Sequence, residues 1–366
     1  MNGQIINYLI FENCFELRYS KFEILEEIVP ELRQNIITGD WVVIAPERAK
    51  RPSDFITSDT IKTQNKGTCP FCIDKSEYKR RIKRFDTKNI WVIENKYPAF
   101  IEVAAKDIIR SYKVENDFYR ARPSTGGHDV VVIKDHDIDM PKFTRQIWYE
   151  LLLTFSARYK YFDENCNVAY TMPIYNHNQA AGASIEHPHA QIFASNIIPN
   201  LISKEVHHTE KYFEHNGSCA FCDLIKHEQK FKKRIIFENS NFIAFTFYAA
   251  RFPFEIWILP KNHASKFENE TKSLYLSLSE CLIDVFGKLD STLNDPPVNF
   301  FFHTTPNTIT NSDYYHWHIE IAPRVTGYGG YEMGSGNVIN VVSPEQTAYY
   351  LKDKTKKTKV WEGQEK

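Results

Sequence analysis

The strongest constraint on this chain is that it reads the same way twice. At 69 to 82 it carries "CPFCIDKSEYKRRI" and at 219 to 235 "CAFCDLIKHEQKFKKRI", each a C-x-F-C pair running into a basic segment. Aromatic and aliphatic text of strand character follows in both, "IWVIENKYPAFIEV" and "IIFENSNFIAFTFY". A β-rich run then ends at a histidine, His136 in "HDVVVIKDH" and His263 in "FEIWILPKNH". Next comes a helical period. Around 143 to 162 it puts Ile147, Trp148, Leu151, Leu152, Phe155 and Tyr159 on one face. Around 271 to 289 it does the same with Leu274, Leu278, Leu282, Val285, Phe286 and Leu289. Both are the spacing of an amphipathic helix. Each half closes with a strand ("NVAYTMPIY", "VNFFFHTTP"), a loop, and a histidine-bearing strand ("EHPHAQIFA", "HWHIEIAP"). Recurrence in this order predicts a duplicated α+β fold. Its two tandem domains would be 1–195 and 196–366, each a mostly antiparallel sheet with one main helix.

Composition narrows the class. The 366 residues suffice for two or three domains with a substantial core. Apolar content of 42% and charged content of 25% are ordinary for a soluble globular protein. A net charge of −1 gives no global basic field, so nucleic acid is not an expected partner. No apolar run has the length of roughly 18 residues that a membrane span needs. The N-terminal text lacks a basic leader and a small-residue cleavage site, so no secretory signal is expected. Seven cysteines, four of them in two C-x-x-C pairs, fit a reducing compartment with metal sites better than a disulfide framework. The expected location is cytoplasmic.

A C-x-x-C pair brings two thiolates to one point, and tetrahedral zinc then needs two more ligands. For the first half the natural quartet is Cys69, Cys72, His136 and His187. In the second half Cys219, Cys222 and His263 parallel the first three, and the fourth could be His316 or His318. Matching His-x-His in the first half to His318-x-Glu320 in the second makes His318 the preferred ligand. Two zinc ions per chain are therefore expected.

The strand "HPHAQIFA", 187 to 194, holds the expected chemistry. His187, His189 and Gln191 share one parity, so in an extended strand they project from one face at steps of about 7 Å. With His187 tied to metal, His189 remains free. A neutral imidazole is a competent nucleophile, and a backbone carbonyl can orient it by holding its other N–H. Gln191 cannot exchange protons, but its amide can donate to a phosphoryl oxygen. That suits a reaction whose leaving group and acceptor are already ionised phosphates.

Taken together these motifs resemble the galactose-1-phosphate uridylyltransferase family of the histidine-triad superfamily, over roughly Leu32 to Val342. The halves would then be histidine-triad-like domains. "TGDWVVIAPERAKRP" is similar to the family's N-terminal motif, which implies that Arg48 and Arg51 contact nucleotide phosphate. Guanidinium forks suit a diphosphate. "ENKYPAF" implies a nucleotide contact at Asn95, and "YNHNQAAGASIEHPHAQ" implies substrate contacts at Asn176, Gly182 and Ser184. "GGYEMGSG" implies sugar contacts at Tyr331 and Glu332. Some members hold a second metal, iron in place of zinc, on a glutamate and histidines; Glu205 and His303, with His318, would match. The activity implied is ping-pong exchange of UDP-glucose and galactose 1-phosphate for glucose 1-phosphate and UDP-galactose through a uridylyl-His189. Adenylyl transfer from ADP-glucose to phosphate is the alternative within the family. A zinc-knuckle nucleic-acid-binding module is the alternative of another class. The resemblance also implies a homodimer.

Overall fold

In a computed structural model of the chain, residues 29–46, 66–102, 118–119, 121–166 and 168–352 are described. The first three strand segments are β1 (Glu31–Gln34), β2 (Trp41–Ile44) and β3 (Ile90–Glu94). Then come β4 (Gly126–Ile133), helix α1 (Arg145–Asn165), β5 (Tyr170–His177) and β6 (His189–Ser195). Helices α2 (Asn200–Asn216) and α3 (Ala220–Phe231) lead into β7 (Ile235–Glu238), β8 (Phe242–Thr246) and β9 (Ile256–Pro260). The second half continues through α4 (Lys272–Leu293), β10 (Val298–His303) and β11 (His318–Pro323). It ends with α5 (Gly330–Ser335), β12 (Val338–Asn340) and α6 (Pro344–Lys352).

The repeat expected from the sequence is laid out across one nine-stranded sheet in the order β3-β4-β6-β5-β10-β11-β9-β8-β7. β3-β4-β6-β5 is mirrored by β8-β9-β11-β10, with β7 added at the far edge. The halves join where β5 pairs antiparallel with β10, Ile174 opposite Phe301 and Asn176 opposite Asn299. A smaller sheet, β1-β2-β12, takes its middle strand from "TGDWVVIAPERAKRP". The glycine-rich text around "GGYEMGSG" forms the six-residue α5 and leads into β12, which pairs in parallel with β2.

The two main helices start alike. Thr144 and Thr271 each accept a hydrogen bond from the backbone N–H three residues on, at 3.2 and 3.3 Å, which satisfies an otherwise orphaned donor. All six residues named for α1 are buried, as are Leu278, Leu282, Val285, Phe286 and Leu289 of α4. Both helices pack on one face of the sheet, where Trp148 stacks on Phe286 at 5.4 Å. The strand residues facing them include Val131, Ala190 and Ile192 from the first half and Ile256, Ile319 and Ile321 from the second. Period-2 alternation therefore commits residues of the other parity, His189 and Gln191 among them, to the opposite face. On that face the C-x-F-C segment supplies the cover: Cys69 and Phe71 pack with Trp91, Ile93, Val130 and Val132.

Candidate active site and metal centres

The first thiol–imidazole group assembles as the sequence suggests. Cys69, Cys72, His136 and His187 come within 4.8 Å of one another through their ligand atoms. Cys69 Sγ lies 3.4 Å from His187 Nδ1, and Cys72 Sγ lies 3.5 Å from His136 Nδ1. A tetrahedral ion with zinc–sulfur and zinc–nitrogen bonds of about 2.3 and 2.0 Å needs donors at about such separations. His187 Nε2 donates to the Ile133 carbonyl at 2.6 Å, so the Nδ1 lone pair is left facing the thiols. Burial and the neighbouring Cys69 push the Cys72 thiol up to about 11. Two thiols crowded in this way need a cation to ionise together. The residues fit zinc.

The second group corrects one expectation. Cys219, Cys222 and His263 are joined by His316, and His318 is not in the group. Cys222 Sγ lies 3.3 Å from His263 Nδ1 and 3.7 Å from His316 Nδ1. The register explains it. His316 precedes β11 as His187 precedes β6, and each lends its carbonyl to the histidine two residues on. His189 Nδ1 donates to His187 O at 2.9 Å, and His318 Nδ1 to His316 O at 3.1 Å. The phenylalanines of the two C-x-F-C pairs agree. Phe71 lies 5.3 Å from the His189 ring, and Phe221 lies 4.9 Å from His318. His318 is thus the counterpart of His189, and His316 the counterpart of His187.

His318 instead belongs with Glu205, His303 and Glu320, all buried, in a third group that offers ligand atoms within 4.8 Å. Glu205 and His303, the residues expected to provide an alternative second site, are therefore beside the second thiol group and do not replace it. Glu205 accepts from Tyr315 at 2.6 Å and meets His303 Nδ1 at 3.0 Å. Glu320 is bound by Arg251. Against burial, which lowers it, Glu205 and Glu320 raise the His303 pKa. The donor set suits iron or zinc, and Arg251 already offsets the charge of one of its two carboxylates.

The strand β6 itself holds one imidazole, that of His189, outside the three metal-ligand groups. His189 is 7% exposed, and burial lowers its pKa, which keeps the ring neutral near pH 7. Since Nδ1–H is held by the His187 carbonyl, Nε2 carries the lone pair. Gln191 lies on the same face, and its Oε1 lies 2.9 Å from His128 Nε2. The pairing Tyr175–Ala190 brings Asn176, the next residue, opposite His189. Gly182 sits in the connection between β5 and β6 with φ +91°, a conformation suited to glycine, and exposed Ser184 follows. Asn95 closes the other side, where it lines a cavity of about 200 Å³ with His128. A second cavity, of about 250 Å³, is lined by Asn176, Asn299, Arg251 and Arg324.

Tyr331 and Glu332 are on α5, where Glu332 accepts the Gly329 N–H at 2.9 Å and Tyr331 is largely exposed. Arg48 and Arg51 lie outside the described residues. His128, Asn299 and Arg251 were not singled out by motif. For His128 a signal existed: it shares parity with Val130 and Val132 in "HDVVVIKDH", and so shares a face with Gln191.

With this geometry in place, comparison with known proteins gives a concordant result. The N-terminal domain of galactose-1-phosphate uridyl transferase matches residues 20–199, and its C-terminal domain matches residues 205–358. ADP-glucose phosphorylase of Arabidopsis thaliana is 33% identical over 338 residues, 90% of this chain and 94% of that protein. Galactose-1-phosphate uridylyltransferase of Thermotoga maritima is 27% identical over 332 residues, 88% and 98% of the two chains. The crystal structure of the Arabidopsis ADP-glucose phosphorylase with bound ADP-glucose superposes with a TM-score of 0.75 at 32% identity, covering 89% of this chain and 99% of that one. The chain belongs to the galactose-1-phosphate uridylyltransferase family.

Proposed function

We propose that this protein moves a nucleotidyl group from a nucleoside diphosphate sugar to a phosphate-bearing acceptor through a covalent intermediate on His189. The observation that carries the reading is the tautomer of that imidazole: neutral, Nδ1–H held by the His187 carbonyl, Nε2 unprotonated beside Gln191. Nε2 attacks the α-phosphorus, the bond to the bridging oxygen breaks, and a sugar 1-phosphate leaves with the electron pair. An acceptor phosphate oxygen then attacks the same phosphorus, and the N–P bond breaks. Both half-reactions exchange one ionised phosphate for another, so catalysis consists of positioning and charge stabilisation.

The specific reaction proposed is UDP-glucose with galactose 1-phosphate, giving glucose 1-phosphate and UDP-galactose. It is supported by the family match over both halves and by the Thermotoga relative. Phosphorolysis of ADP-glucose is the second reading, favoured by the 33% identity to the Arabidopsis protein. Asn95, Asn176, Gly182 and Ser184 would hold the nucleotide sugar beside His189, with Arg48 and Arg51 on phosphate and Tyr331 and Glu332 on the hexose. The working unit proposed is a homodimer. The two thiol–imidazole groups would hold zinc in a structural role, because four protein ligands leave no open position for substrate. Product analysis decides between the donors. UDP-galactose formed from UDP-glucose and galactose 1-phosphate supports the first reading. Glucose 1-phosphate and ADP formed from ADP-glucose and phosphate, with no UDP-galactose, would replace it by the second.

A further inference from the structure

We propose that His128 is a positioning residue: it fixes the Gln191 carboxamide so that the NH2 end, not the carbonyl oxygen, faces the phosphoryl group at His189. The inference rests on the nucleotidyl-transfer reading above. A carboxamide is nearly symmetric in shape, and turning it by half a revolution exchanges a donor for an acceptor at little steric cost. Beside a phosphoryl oxygen the difference is large, since an N–H attracts the anion and a carbonyl repels it. Something outside the amide has to make the choice.

The chain of contacts makes it from the backbone outwards. Ala99 N–H donates to His128 Nδ1 at 3.2 Å. A backbone N–H cannot become an acceptor, so the neutral imidazole carries its proton on Nε2. That Nε2–H lies 2.9 Å from Gln191 Oε1 and donates to it. Asn95 Nδ2 also lies near Nε2, at 3.1 Å, but Asn95 Oδ1 is taken by the Tyr97 N–H at 2.9 Å. Asn95 therefore turns a second donor towards the ring and cannot accept the Nε2 proton in place of Gln191. Reversing Gln191 would leave the buried Nε2–H facing two amide NH2 groups with no acceptor. His128 is 7% exposed and its ring packs on Phe193 at 4.0 Å, so it cannot swing away at low cost. Burial lowers its pKa, in keeping with the neutral form.

The opposite side of His189 repeats the device. Asn299 Nδ2 donates both to Asn176 Oδ1 at 2.8 Å and to the Ala181 carbonyl at 2.7 Å. Asn176, opposite His189, is thus also held by its oxygen and presents its NH2. Two amides flank the nucleophile, and each is oriented by a neighbour behind it.

The test is a double-mutant cycle read as the single-turnover rate of nucleotidyl-His189 formation from UDP-glucose and, separately, ADP-glucose. His128→Leu should slow the step by about 10- to 100-fold, with KM little changed. His128→Gln restores an N–H donor and should recover most of that loss. Gln191→Ala should be at least as slow as His128→Leu, and the double variant no slower than Gln191→Ala alone, because the two residues act as one unit. Losses that multiply in the double variant, or wild-type rates in His128→Leu, would overturn the proposal. If His128→Leu does not fold, His128→Gln decides: a rate as low as that of Gln191→Ala counts against it. A wild type that forms no adduct from either donor fails at the functional reading and takes this inference with it. Adduct formation with multiplying losses leaves that reading standing.

Discussion

At His189 the chemistry turns on which nitrogen keeps its proton. The carbonyl of residue 187 accepts from Nδ1, and the neighbouring His187 spends its own Nε2–H on the Ile133 carbonyl. Two histidines two residues apart are thereby given opposite tautomers, which on the proposed mechanism leaves one for metal and one for attack. On the same mechanism Gln191 sets what the site can transfer to. An amide has no proton to give or take, whereas water needs deprotonation to attack and an ionised sugar phosphate does not. Hydrolysis of UDP-glucose without an acceptor should therefore be much slower than exchange. Gln191→His is expected to raise hydrolysis of the adduct while lowering exchange. The two rates, measured side by side on both proteins, check this; equal rates in the wild type would make the protein a nucleotide-sugar hydrolase.

At the scale of elements, β11 and the turn before it distribute two histidines between two groups. His316→Ala should remove one zinc per chain, while His318→Ala should leave both thiol-bound ions in place; elemental analysis of the pure proteins reads the difference. Iron or zinc lost on His318→Ala with His316→Ala unaffected would restore the assignment expected from the sequence. A second element-scale prediction concerns α6. Burial alone would raise the Glu345 carboxyl, but Arg234 at 2.7 Å and Arg33 at 2.9 Å hold it below the usual glutamate value. A depressed folded-state pKa contributes stability above the unfolded value and loses it as pH falls through the folded one. Glu345→Gln should cost about 1–2 kcal/mol near pH 7, and the gap to wild type should close below about pH 4. Denaturant melts at the two pH values measure it. These elements also show what the sequence could tell. Helix faces, strand parity and the first metal quartet were legible because period and spacing encode them directly. The choice of His316 over His318 was not, because it depends on where a strand begins relative to its thiol pair. His128 was hidden for a similar reason: its partner, Gln191, is 63 residues away and meets it only through β4–β6 pairing.

For the whole molecule, duplication produced two related strands with different surroundings. β6 and β11 hold corresponding histidines in corresponding hydrogen bonds. His189 retains a sliver of exposure, while His318 is fully buried, stacked on Trp257 at 4.8 Å and faced by Glu320. On the proposed mechanism the first half presents this imidazole to the nucleotide sugar, and the second has sealed its counterpart into a charged interior. The central claim is that His189 Nε2 bonds covalently to the α-phosphorus of a nucleoside diphosphate sugar. Its most direct test is peptide-resolved mass spectrometry after brief incubation with UDP-glucose or ADP-glucose and no acceptor. The account predicts one nucleotidyl group on His189, none on His318, and none on a folded, zinc-loaded His189→Ala protein. A nucleotidyl group on any other residue, or an active His189→Ala enzyme, would contradict it.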